Sequence, residues 1–169
     1  MPENLLNIFA EVAISITAFS GIVVVLVGRD DIAWLKTQAV TVKAMLETSL
    51  TVVIFSLLAL SLGLLSDDPF YGIPLLTGLF GAWHLFILII ALKRRHFIWP
   101  GWTIGFVTFG ALVLVAAQFI LPIMGATKYL WGIYILGLFW LLVMSIMNFC
   151  LLLYAWFQTR NEEEISSDN

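Results

Sequence analysis

Residues 5–27 read LLNIFAEVAISITAFSGIVVVLV, a run longer than the roughly 20 apolar residues that carry an α-helix across a bilayer core about 30 Å thick. One carboxylate, Glu11, interrupts it, and Gly28-Arg29-Asp30-Asp31 ends it. The same pattern recurs along the chain, with apolar runs at about 40–65, 71–92, 102–123 and 129–157. Apolar periodicity begins at Ile32, ahead of the second run, and predicts one long helix that starts outside the hydrocarbon. Ser66-Asp67-Asp68-Pro69 and Pro100-Gly101 act as breakers between runs. The expected fold is an all-α integral membrane protein, a bundle of about five transmembrane helices forming a single domain over residues 1–157. An acidic tail, 158–169, is expected to be disordered.

Composition points the same way. Hydrophobic residues make up 62% of the 169 and charged residues 11%, where soluble domains carry about 25% charged residues. Mean hydropathy is +1.03. A soluble globule is excluded, and no stretch outside the spans is long enough for a second core. The net charge of -3 arises mostly from Glu162, Glu163, Glu164 and Asp168, so no bulk attraction to nucleic acid follows. Cys150 is the single cysteine, which rules out an intrachain disulfide. The opening Met-Pro-Glu-Asn lacks the basic region of a secretory signal, so the first run is read as a retained span.

Basic residues in short loops stay cytoplasmic. Arg29, Lys36 and Lys43 follow the first span, Lys93, Arg94 and Arg95 the third and Arg160 the fifth, with Lys128 alone on the other side. This predicts an outside N-terminus, a cytoplasmic C-terminus and, in a bacterium, a multi-pass inner-membrane protein. Trp83 and Trp140 lie deeper than the interfacial aromatics and are expected to pack against other helices.

Ionisable groups inside such spans cost roughly 2.5–3.5 kcal/mol on insertion scales, so each needs a partner, water or a task. Glu11 lies about two turns into the first span, with Ser15 one turn on. It reads either as a hydrogen-bonded neutral acid or, repeated by subunit symmetry, as an acidic ring favouring cations. Ala13, Thr17 and Gly21 form a small-residue stripe on the opposite side, which predicts close helix packing. On the second helix Lys36, Lys43 and Glu47 share a stripe, with Lys43 and Glu47 at ion-pair spacing and Thr37, Thr41, Thr48 and Thr51 on an adjoining face. That helix either emerges into water with Lys43 snorkelling, or lines a pore mouth. His84 shares a face with Thr77 and Gly81 and reads as a packing imidazole or a gate neighbour. Gln118 and Asn148 are expected to bond across helices.

The cluster Lys93-Arg94-Arg95-His96, with Arg29 and Lys36 on the same side, suits anionic lipid headgroups or a phosphate-bearing ligand. With His96 in a loop, no intramembrane bis-histidine haem site is available to one chain. No catalytic or nucleotide-binding motif is present, so neither enzyme activity, cofactor nor metal is expected.

The stretch AEVAISITAFSGIVVVLVGR, residues 10–29, with its acidic start, small-residue spacing and Gly-Arg exit, resembles the opening helix of small multi-spanning bacterial effectors of anti-phage defence, of the Hailong type. That resemblance implies an oligomeric pore that depolarises the cell under control of a nucleotide or oligonucleotide made by a partner enzyme. From the residues themselves the expectation is an oligomeric ion channel or membrane-permeabilising protein, with an accessory subunit of a larger membrane complex, or a small transporter, as the alternatives.

Overall fold

In the computed structural model, residues 2–30, 32–65, 72–94 and 101–167 are described, with side chains placed for 4–25, 38–62, 72–90, 92–93 and 105–158. They form five helices: α1 (Pro2–Asp30), α2 (Ile32–Leu65), α3 (Ile73–Arg94), α4 (Gly101–Ile123) and α5 (Thr127–Ser167). Each contains a stretch long and apolar enough to cross a membrane, namely Asn4–Val25, Gln38–Leu62, Ile73–Ile90, Gly105–Ile123 and Thr127–Gln158. The five expected runs therefore correspond to five helices, and α2 begins at Ile32 as its periodicity predicts. The turns expected at 66–69 and at Pro100 lie outside the described residues.

At the C-terminus α5 continues to Ser167, through most of the stretch read from sequence as an acidic tail. Residues 158–167 contain neither Gly nor Pro, and glutamates propagate a helix that α5 has already nucleated.

The tight link between α4 and α5 has a local cause. Gly125 adopts φ +68°, and its N–H donates to Pro122 O at 3.1 Å while Ala126 N–H donates to Leu121 O at 3.1 Å. These two bonds satisfy the last carbonyls of α4 in the way a Schellman turn does, and the left-handed residue between them is the one without a Cβ. Pro122 itself has no N–H to offer the Gln118 carbonyl one turn earlier.

α5 touches all four other helices; α1 lies chiefly on α2 and α3 chiefly on α4, while the sequence neighbours α2 and α3 share little surface. The bundle is thus two helical hairpins closed around α5. Its core is Leu6, Phe9 and Ala13 of α1, Val52, Phe55 and Ala59 of α2, Ile73, Leu76 and Phe80 of α3, and Leu130, Tyr134, Leu138 and Leu141 of α5. Phe80 sits at its centre, with ring centroids 4.7 Å from Phe55, 5.2 Å from Tyr134 and 5.5 Å from His84. The Tyr134 hydroxyl donates to Phe55 O at 2.6 Å, satisfying the one polar atom such a ring must bury.

Candidate functional site

The polar residues of the spans fall on two surfaces that do not coincide. Glu11, Ser15, Lys43 and Glu47 face outward from the bundle, whereas Thr48, Thr51 and His84 are buried. A single polar lining that joins all seven is therefore not formed within one chain.

On the outer side of α4 stand Phe106, Phe109, Leu112, Val113 and Ile120, all exposed, a surface suited to acyl chains. The outer side of α1 differs. There Asn7, Glu11, Ser15 and Ala18 are exposed in succession, at the three- and four-residue steps that place them on one face. Glu11 lies about 10 Å along the axis from the start of its apolar window. The Ser15 hydroxyl donates to the Glu11 main-chain oxygen at 2.8 Å, so it is occupied by backbone and not by the carboxylate. Ala13, on the opposite side, is fully buried, and the Thr17 hydroxyl donates to its carbonyl at 2.9 Å. Gly21 has nothing within 4 Å of where a Cβ would stand. The small-residue stripe thus packs inside the chain at Ala13 and runs into open space at Gly21.

On α2, Lys43 Nζ stands 3.6 Å from Glu47 Oε1, with the two side chains 58% and 43% exposed. They border a shallow groove of about 350 Å³ whose other walls are Ala39, Val42, Leu46 and Leu50. Charge and aliphatic surface alternate along this face.

The buried side is a hydrogen-bonded seam centred on Met45. Ser20 of α1 donates to Met45 Sδ at 3.1 Å, Thr48 to Met45 O at 3.0 Å and Ser145 of α5 to Met45 O at 3.3 Å. Ser49 pairs with Ser145. Thr51 donates to Glu47 O at 2.7 Å and accepts from Trp83 Nε1 at 2.9 Å, a bond that joins α2 to α3. Thr51 therefore ties α2 to α3, Thr48 is bonded within α2, and both hydroxyls are spent. Trp83 is half-exposed yet anchored as expected, and Trp140 packs over Gly110, where a Cβ would come 2.4 Å from its ring.

His84 is 2% exposed and stacks on Phe80 with the rings 27° from parallel. The carboxamide of Gln118 leans toward it, yet neither Gln118 Nε2 nor Oε1 reaches hydrogen-bond geometry with any protein group. The bonding role expected for Gln118 and Asn148 is corrected here. Both are buried, but the Gln118 carboxamide and Asn148 Oδ1 are unmatched. A close backbone approach explains Gln118: it is wedged between Gly81 of α3 and Gly137 of α5, where added Cβ atoms would meet it at 3.0 and 2.4 Å.

Lys93 is exposed at the end of α3 and Arg94 closes that helix. The side chains of Arg29, Lys36, Arg94 and Arg95 lie outside the described residues, as does His96. Among the described residues no group of His, Cys, Asp and Glu has the makeup of a metal site. The Ser20, Ser49 and Ser145 seam was not anticipated. Its signal was small hydroxyl residues recurring within apolar runs, which glue helices where lipid supplies no hydrophobic drive.

Neither a family model, a curated protein nor a solved structure matches this chain.

Proposed function

We propose that the chain is one subunit of a symmetric homo-oligomer that conducts ions across, or permeabilises, a bacterial inner membrane. The observation that carries this reading is the outward position of Glu11 on an otherwise apolar helix, with Lys43 and Glu47 likewise turned away from the core. In an isolated bundle these groups would meet acyl chains, at a cost of roughly 2.5–3.5 kcal/mol each. Placed around a symmetry axis, the same faces enclose water or one another.

In such an assembly Glu11 forms a ring of carboxylates that concentrates cations, with Asn7 and Ser15 beside it. The Lys43 and Glu47 pairs contribute to the cytoplasmic mouth. Thr51 braces α2 against α3 from behind, Thr48 lies buried beside it, and His84 acts within the core and not at the lumen. The likeness of residues 10–29 to anti-phage effectors supplies a setting, depolarisation upon infection, and the basic residues Arg29, Lys36, Lys93, Arg94 and Arg95 suit an anionic nucleotide as the trigger.

Planar-bilayer recording of the purified protein tests the reading. Current that is cation-selective, and a Glu11→Gln variant with altered selectivity or conductance, is the expected result. No current under any voltage or cyclic or linear oligonucleotide tried, together with co-purification of larger membrane subunits in mild detergent, would instead make the chain an accessory subunit.

A further inference from the structure

We propose that Thr77, His84 and Gln118 hold bound water inside the bundle, at the Gln118 carboxamide. This inference concerns the interior of one chain and does not rest on the assembly proposed above. Four side-chain atoms, Thr77 Oγ1, His84 Nδ1, Gln118 Nε2 and Gln118 Oε1, are buried without a protein hydrogen-bond partner. All three residues are at least 98% buried. Even a bond between His84 and Gln118 would use one of the four hydrogen-bonding positions a carboxamide offers.

Thr77 adds to the case. Among the described residues six other hydroxyls, including those of Thr17, Thr51 and Ser61, donate to the carbonyl four residues back in their own helix, whereas those of Ser56 and Thr77 do not. Thr77 has that option at Ile73 and does not take it. Its hydroxyl is left free for something else.

The three residues converge. Gln118 meets α3 at Gly81, one helical turn from both Thr77 and His84 on the same face. A buried water typically needs two to four polar partners, which this cluster supplies. Gly81 and Gly137 contribute no side chain, and Phe80 closes the site on the apolar side. The site would be a hydrated joint between α3, α4 and α5.

The test uses full-length protein in lipid nanodiscs, in a His96→Gln background so that one imidazole remains. Water-edited solid-state NMR should transfer magnetisation from water to the His84 ring nitrogen. Thr77→Val and Gln118→Leu, close in volume, should each lower Tm by about 2–4 °C, the shift expected when a matched buried group is lost. In a dry site the same substitutions remove uncompensated polar atoms, so Tm would rise or stay fixed. Absence of water transfer, or an unchanged or higher Tm in either variant, overturns the proposal. Should a variant fail to fold, the NMR result on the unsubstituted cluster decides alone.

Discussion

Replacing Lys43 by Met asks what surrounds the outward face of α2, and two magnitudes separate the answers. Lys43 and Glu47 are 3.6 Å apart and about half-exposed, and Glu47 lies about 13 Å along the axis from Gln38, where the apolar window begins. If water reaches this face, the pair is an ordinary helical ion pair worth about 0.2–0.5 kcal/mol. Lys43→Met then shifts the folding equilibrium about twofold or less, and adding Glu47→Gln changes little more. If acyl chains surround it, Lys43→Met strands a carboxylate in hydrocarbon at roughly 2.5–3.5 kcal/mol, on the order of a hundredfold in equilibrium constant. The double variant would recover most of that loss. Reversible unfolding in bicelles of both single variants and the double variant measures the difference. The assembly proposed here requires the small, unrescued effect in the oligomer. A loss above about 2 kcal/mol that Glu47→Gln restores would refute the wet face, and with it the reason for placing these groups around an axis.

Phe80→Ala should destabilise by about 3–5 kcal/mol in the same assay, because the ring is fully buried among Phe55, Tyr134 and His84; Phe106→Ala, on the exposed side of α4, should cost well under about 1 kcal/mol. Tyr134→Phe should cost only about 0.5–1.5 kcal/mol, since the Phe55 carbonyl keeps its helical donor and no orphan is created. Gly110→Leu should cost about 1–3 kcal/mol by overpacking against the Trp140 ring. A Trp140→Ala background should abolish that penalty, and persistence of the penalty would place the clash elsewhere.

Much of the architecture was legible before any coordinates. Twenty-odd apolar residues in a row leave the backbone only one way to satisfy its N–H and C=O groups in hydrocarbon, so the run from residue 5 and its four successors had to be helices. Helical spacing likewise put Lys43 beside Glu47, and Thr77 and Gly81 on the face of His84. Acidic composition predicts solvation of the tail and does not give the end of α5, since an existing helix extends cheaply through Glu-rich sequence that lacks Gly and Pro. The roles of Gln118 and Asn148 were misread because a single amide in a span advertises a hydrogen bond without revealing whether a partner lies opposite.

From the chain alone came the number of spans, their approximate bounds and the presence of titratable groups within them, because span length and periodicity are properties of one helix at a time. Which groups point inward was decided only when the helices packed. When the five helices pack, Thr48, Thr51 and His84 are buried and Glu11, Lys43 and Glu47 are left outside. A helix that is apolar all round carries no stripe to say which side meets its neighbours. Small residues and hydroxyls make that choice by how closely they let particular backbones approach, and closeness exists only between helices.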